Sequence, residues 1–335
     1  MNLTTIGDLS QSYMLRHRQT ALQAESLQRQ TELTTGLAAD TRSHLRGDYA
    51  QLADIERSLS MLDSYDVAIT ESDTMTTMMQ TALGAMQEVT SDLSTSLVLA
   101  AQTDAPMAVR NVSGDAALGF ASLVGQLNTR AGGRSLFAGA AYDSAALAAP
   151  EEMLAALRGA LAGEVTMTGV QARLDSWFGS GGDFETLGYL GVTEDGTPLQ
   201  LSEDVRIGLS IRADDQVFRD TLKATAMAAL AADDSLGFAD DLQAQMVETA
   251  GTELIALQPA LTETMAGLGV VQARIEDSQV RNAAAGLALE VSRNTLLAAD
   301  QYEAATRFEL VQTQIETLYA VTVRASRMSL LDYMR

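Results

Sequence analysis

The stretch "NTRAGGRSLFAGA" (128–140) sets three glycines around a Leu-Phe pair, and a glycine-rich turn of that kind can cradle a phosphate. The phosphate loop needs G-x-x-x-x-G-K-[ST], with the lysine reaching the phosphates. The chain has one lysine, Lys223, far along the sequence. A dinucleotide loop follows a strand, whereas residues 107–128 read as helix. Ser135 fails the nucleophile pattern G-x-S-x-G because Phe137 fills its last position. The stretch therefore reads as a helix cap and an exit turn built from Asn128, Gly132, Gly133, Leu136, Phe137 and Gly139. Gly132 and Gly133 would cap and turn, and Leu136 and Phe137 would anchor the next domain onto the helices.

The other chemistry-bearing residues do not converge. His17 and His44 sit in Arg-containing segments with no carboxylate or second histidine at ligand spacing. "TEDGT" (193–197) lacks the carboxylate series of a calcium loop. The pairs Asp214–Asp215, Asp233–Asp234 and Asp240–Asp241 fall at predicted helix starts, where carboxylates complement the positive dipole end. No catalytic, cofactor-binding or metal residue is nominated. An enzyme housed in 141–215 is an alternative without convergent titratable groups, since Trp177, Phe178 and Tyr189 read as a small core. Met75, Met78, Met79 and Met86 read as helix core, or as an adaptable surface. Two tripeptides, at Asn2 and Asn111, fit the N-glycosylation pattern.

Composition narrows the class further. Net charge is −22, so non-specific nucleic-acid binding is excluded, because phosphate neutralisation needs clustered Lys or Arg. Anionic membrane surfaces are disfavoured for the same reason. Without cysteine there are no disulfides, thiol nucleophiles or thiolate zinc sites. The N-terminus lacks a charged-then-apolar leader, and no uninterrupted apolar run approaches a membrane span, so neither a cleavable signal nor membrane insertion is expected. Only 5% of residues are aromatic, and Ala, Leu, Thr, Gln and Met dominate, which favours closely packed helices.

The elements that must position these residues are long. Residues 6–37 read as a weakly apolar helix with Leu9, Tyr13, Thr20, Ala24, Leu27 and Thr34 on one stripe. Residues 48–103 carry Leu52, Ile55, Leu59, Leu62, Ile69 and Leu83 at three-four spacing, roughly 80 Å of helix at about 1.5 Å per residue. "TDAP" stops it, since Pro106 disfavours helix at the preceding residue. A helix over 107–128 returns antiparallel. Residues 141–215 become glycine-rich. A short helix is predicted over 150–162, a hairpin turn at "EDGTP", and a strand from the alternation of Val205, Ile207, Leu209 and Ile211. Helix resumes at 215. From 238 to 334 it is nearly continuous, with a kink at Pro259. Leu297, Gln301, Ala304, Phe308, Val311, Ile315, Leu318 and Thr322 there alternate steps of three and four, a heptad seam.

The predicted fold is mainly α: a long antiparallel helical bundle or coiled coil formed by both termini, with a small mixed α/β, hairpin-containing middle domain. Its parts are an N-terminal coiled-coil helix (1–40), the two bundle halves (41–140 and 216–290), the insert (141–215) and a C-terminal coiled-coil helix (291–335).

Four stretches in order resemble the bacterial flagellins and the flagellin-like hook–filament junction proteins. "QTELTTGLAAD" (30–40) is similar to the family's helix-ending segment, and "LNTRAGGRSLFAGA" (127–140) to a segment typical of the junction proteins. "RADDQVFRDTLKATAMAAL" (212–230) is similar to the segment after the insert. "YEAATRFELVQTQIETLYAVTVRASRMSLLDYM" (302–334) resembles the C-terminal helix. The flagellin N-terminal pattern is only loosely met, and Asp-Asp-Ala-Ala-Gly is missing around 40–50. Both departures favour the junction branch over filament flagellin.

The resemblance implies a non-enzymatic structural protein of the flagellum. It implies export, without a cleavable signal, through the flagellar type III apparatus to the extracellular hook–filament junction. Implied partners are an export chaperone, hook-associated protein 1 on the hook side, flagellin, and copies of itself in a ring, with no cofactor. It also implies termini that order on assembly. Ile6, Leu9, Tyr13, Leu27, Leu297, Phe308, Val311, Ile315, Leu318, Leu330 and Leu331 would then bury together and against neighbouring subunits. A filament flagellin and a non-flagellar secreted coiled-coil protein are the alternatives.

Overall fold

The computed structural model describes residues 4–103 and 105–333, with side chains between residues 10 and 324. In chain order its helices are α1 (Thr4–Thr35), α2 (Thr41–His44), α3 (Ala50–Ala101), α4 (Pro106–Leu127), α5 (Pro150–Leu161), α6 (Met167–Phe178), α7 (Gln216–Ala231), α8 (Asp240–Leu296) and α9 (Gln301–Tyr333). Two antiparallel hairpins are the only sheets among the described residues: β1 (Arg130–Ala131) with β2 (Arg134–Ser135), and β3 (Leu199–Gln200) with β4 (Arg206–Ile207). The chain divides into two compact units, residues 1–62 with 283–335 and residues 63–282, and both boundaries fall inside long helices.

The 63–282 unit is a helical bundle with an appended α5–α6 layer. Met79, Leu83 and Met86 on α3, Phe120 and Leu123 on α4, and Phe218 and Leu222 on α7 are fully buried. The methionines at 75, 79 and 86 are therefore core, and Met78 packs at its edge. Helices α3 and α8 run antiparallel, tied by Gln87 to Thr262 and Gln258 to Thr90, each at 2.9 Å. Gly251 permits their close approach: a Cβ there would lie 2.9 Å from Val98 Cγ2 and 3.1 Å from the Ser94 carbonyl. Pro106 opens α4, as its missing N–H and fixed φ allow at a first helical position. Pro259 lies within α8, which continues through it.

A helix C-terminus leaves its last carbonyls without intrahelical partners. At α7 the buried Ser113 of α4 supplies one: its hydroxyl donates to the Ala228 carbonyl at 2.7 Å and accepts from the Ala232 N–H at 3.1 Å. We expect Ser113→Ala to cost about 1–3 kcal/mol, the penalty for stranding buried polar groups. Chemical denaturation would show it as a lower midpoint at unchanged slope.

In the middle of the chain the structure departs from the predicted strand and turn. The alternation at 205–211 does place Ile207 inward and Arg206 and Gly208 outward, but only Arg206–Ile207 finds a partner strand. The hairpin reverses at 201–205, where the Leu201 N–H donates to the Val205 carbonyl, and not at "EDGTP". Periodicity reports which face is buried; a ladder also needs a neighbour. Helix α6, unpredicted, begins at Thr166, whose hydroxyl accepts from the Gly169 N–H. It contributes Trp177 and Phe178, which stack edge-on at 4.5 Å, with Phe184 5.9 Å from Trp177. Tyr189 is buried beside them.

The predicted helix over 238–334 is not continuous either. It breaks at 297–300, where Asp300 Oδ1 accepts from the N–H groups of Tyr302 and Glu303 and so starts α9. Asp followed three residues later by Glu is a helix-start signal that was present in the sequence.

Candidate assembly surface

The 1–62/283–335 unit pairs α1 with α9 in antiparallel fashion. Leu37 bridges Ala298, the Ala38 N–H donates to the Leu297 carbonyl at 2.8 Å, and the Ala299 N–H donates to the Gly36 carbonyl at 2.9 Å. Gly36 has φ +73°, a left-handed conformation natural to glycine just past a helix end. Further along, Arg18 meets Gln314 at 3.4 Å and Gln19 meets the Tyr319 hydroxyl at 3.3 Å. The joint is braced from both sides. Buried Glu32 takes Arg29 at 2.7 Å and the Ala39 N–H at 3.3 Å, and His44 Nε2 lies 3.0 Å from the Leu296 carbonyl. His44 is thus a structural link, while His17 is exposed on α1.

On α9, Ala304 and Val311 (2% exposed) are buried, and Phe308, Ile315 and Leu318 are half-buried along the same three-four stripe. Leu297 lies outside this seam: it is in the break before α9 and contributes its carbonyl to the joint. On α1 the inward face differs from the expected one. Leu15, Gln19, Leu22, Ser26, Arg29 and Leu33 turn inward, with Leu22 3% exposed, whereas Tyr13 (71%) and Leu27 (65%) face outward. The expected stripe and the observed one lie about 140° apart around a 3.6-residue helix. Large apolar residues suggested one face. The contacts select another, on which leucines are interspersed with polar residues and Arg29 Nη1 donates to the Glu32 carboxylate. Ile6, Leu9, Leu330 and Leu331 lie outside the described side chains.

The pair keeps several large apolar residues on its exterior. Tyr13, Met14 and Leu27 on α1, and Tyr302, Leu310, Tyr319, Val321 and Val323 on α9, are exposed. Helix α8 adds Leu287 and Val291. An 18-residue window of α8 has mean hydropathy 1.4 and is only 17% buried, which meets a membrane span's length and composition. The lack of an uninterrupted apolar run therefore does not set that helix apart from such spans. Two paired helices can cover only one face of each other; apolar residues on the remaining faces are available for burial against further helices.

In the "NTRAGGRSLFAGA" stretch, Asn128 caps α4, and its side-chain amide pairs with the backbone of Leu147 through Nδ2 to O (3.0 Å) and Oδ1 from N (2.8 Å). The two glycines do not cap the helix; they form the β1–β2 turn. Gly132 (φ +56°) and Gly133 (φ +84°) both have positive φ, the signature of a tight hairpin reversal. Leu136 and Phe137 are buried, Phe137 edge-on to Phe218 of α7 at 6.3 Å. Gly139 (φ +65°) crosses a neighbouring segment so closely that a Cβ would lie 2.2 Å from the Val192 carbonyl oxygen and 2.7 Å from that of Glu194. Arg212 stitches the same region, with Nε to Asp214 at 2.9 Å, Nη1 to Asp195 at 2.5 Å and its backbone N–H to Asp215 at 2.9 Å. Burial raises the Tyr189 phenol and the Asp215 carboxyl above their ordinary pKa values.

Of the acidic pairs, Asp215 and Asp240–Asp241 do sit at helix starts. Asp233–Asp234 instead follow α7, and Asp233 pairs with Arg158 of α5 at 2.5 Å. Among the described residues no three His, Asp or Glu side chains gather as a metal site. Lys223 binds Asp175 at 2.9 Å. Burial pushes the carboxyl of nearby Glu253 upward against the attraction of Lys223. A raised carboxyl favours the native state below the unfolded value of 4.5, and that advantage is lost as pH rises through the native pKa. Glu253→Gln should therefore raise the unfolding midpoint at pH 7, with the gain shrinking to nothing as pH falls below about 4. Thermal melts at several pH values check this.

The profile of the bacterial flagellin C-terminal helical region matches residues 247–334, which take in most of α8 and all of α9. Among solved structures, the fold aligns with a Vibrio parahaemolyticus protein described as a "putative flagellar hook-associated protein". The TM-score is 0.51 at 13% identity, over 75% of this chain and 99% of that one. At that identity the likeness shows the fold. No curated protein matches in sequence.

Proposed function

We propose that this chain, flagellin-like by its C-terminal helical region, is a non-enzymatic structural subunit of the bacterial flagellum. Within the flagellum we assign it to the hook–filament junction, as a protein of the hook-associated protein 3 type. The observation that carries the reading is the α1–α9 pair, buried along one seam and bearing exposed large apolar residues on its outward faces. Each large side chain moved from water to an interface contributes about 1.5–3 kcal/mol. Ordering the two helices costs on the order of 1–2 kcal/mol per residue, so partners supply what a lone pair cannot. Copies of the chain would pack α1–α9 pairs side by side in a ring. The hook-side hook-associated protein 1 and flagellin would meet the two rims, and a chaperone would cover the apolar faces before export.

Gold labelling of purified flagella tests the assignment. A single band at the distal end of the hook is the expected result. Label along the whole filament would make the chain a filament flagellin, and label absent from the flagellum would remove it from the organelle altogether.

A further inference from the structure

Charge is divided unevenly along the fold. The 63–282 unit carries 31 acidic against 11 basic residues, and the 1–62/283–335 unit 13 against 11. The first is therefore a polyanion, and copies packed closely through it repel one another unless a cation lies between them.

The polyanionic unit holds a groove of about 610 Å³ between α3 and the β1–β2 turn. Val67 (70% exposed), Met75 and Ala131 give it apolar walls, and Asp66 and the Glu71–Arg134 ion pair stand at its rim. Asp63, Asp66 and Asp73 are exposed at positions i, i+3 and i+10 of α3, one face of a helix. None of the three has a cationic side chain within ion-pairing distance among the described residues.

The near-neutral unit holds a matching segment. In 40–49, "DTRSHLRGDY", Arg42 and Arg46 are exposed, four residues apart, and have no ion-pair partner among the described residues. Half-buried Leu45 lies between them, and exposed Tyr49 follows. His44 pins the segment from behind through the Leu296 carbonyl, leaving the arginines outward. Arg46 has φ +51° and is the only non-glycine residue with positive φ among those described. A left-handed position would cost glycine nothing; an arginine held there points to use of its side chain.

We propose that this Arg42–Tyr49 segment of one copy seats in the α3–hairpin groove of a second copy, with its arginines on the aspartate stripe and Leu45 and Tyr49 against the apolar walls. The contact rests on the assembly reading above and gives it a direction: the arginine-bearing end of one subunit meets the acidic flank of the next. It is heterologous, head to flank, and so can propagate around a ring.

The absence of native cysteine makes the test direct. One batch carries Ser43→Cys and a second carries Thr70→Cys, so that no chain can bridge itself. The two are mixed at high concentration and oxidised, with sedimentation of the same sample reporting polymer. A mixed disulfide dimer is expected, at least fivefold above a Thr95→Cys control on the same helix outside the groove. Arg42→Glu with Arg46→Glu should return the yield to the control level, and Asp63→Arg with Asp66→Arg in the partner batch should restore it. No excess over the control overturns the contact, with or without polymer, as does a yield indifferent to the charge reversals. Polymer without the link sinks this contact and leaves the assembly reading standing; the link without polymer does the reverse.

Discussion

Gly139→Ala is expected to be among the most damaging single methyl additions in the 128–215 region. Its Cβ would lie well inside contact distance of two backbone carbonyl oxygens, Val192 and Glu194, with the aliphatic stem of Arg212 3.2 Å away. Backbone cannot swing aside as a long side chain can. The left-handed φ adds about 1–2 kcal/mol of strain for any residue with a Cβ, and forced overpacking about 1–3 kcal/mol more. The loss should be about 2–5 kcal/mol, a large share of a domain's stability. Gly133→Ala is the control. It also sits at positive φ, but a Cβ there has nothing within 4 Å, so only the strain acts. Denaturant melts should separate the two. Equal losses would show that the crossing of 139 beneath 192–194 does not matter.

The second large effect divides the terminal pair into its two faces. Phe308→Asp with Ile315→Asp places two carboxylates in the seam beside Val311, and should abolish both the α1–α9 pairing and incorporation into flagella. Each substitution forfeits part of the roughly 1.5–3 kcal/mol that full burial of such a side chain supplies and adds the cost of a carboxylate without a partner. Leu27→Asp acts on the outward face. It leaves every seam side chain in place, and incorporation should still fall at least tenfold. Normal incorporation of Leu27→Asp would remove the outward face from assembly; normal incorporation of the double variant would remove the seam.

The sequence made the helices legible because Pro106, Pro150 and Asp215 mark the starts of α4, α5 and α7 and the three-four spacing of Leu52, Ile55 and Ile69 persists over many turns of α3. The α9 seam was legible for the same reason. The α1 face was not. Its inward positions include Gln19, Ser26 and Arg29, and hydrophobicity cannot identify a face whose polar members are satisfied by neighbours such as Glu32. The break at 297–300 carried a signal in Asp300 and Glu303, masked by a heptad pattern that continues across it from Leu297. The role of Gly139 was invisible for a different reason. A segment more than fifty residues away forbids a side chain there, and no local pattern encodes that approach.

The joint at Leu37 and Ala298 has a consequence for how the terminal pair comes together. Both helices leave from this one fixed point and run from it toward residues 4 and 333. The loop to be closed is therefore shortest beside the joint and lengthens toward residues 4 and 333, so zippering from the joint outward is the least costly order. The register is set before most of the pair has formed. Trimming a few residues from either terminus should shorten the zipped length without letting one helix slip past the other. Cutting the Glu32 and His44 braces should instead release the register while leaving the sequence of both helices intact.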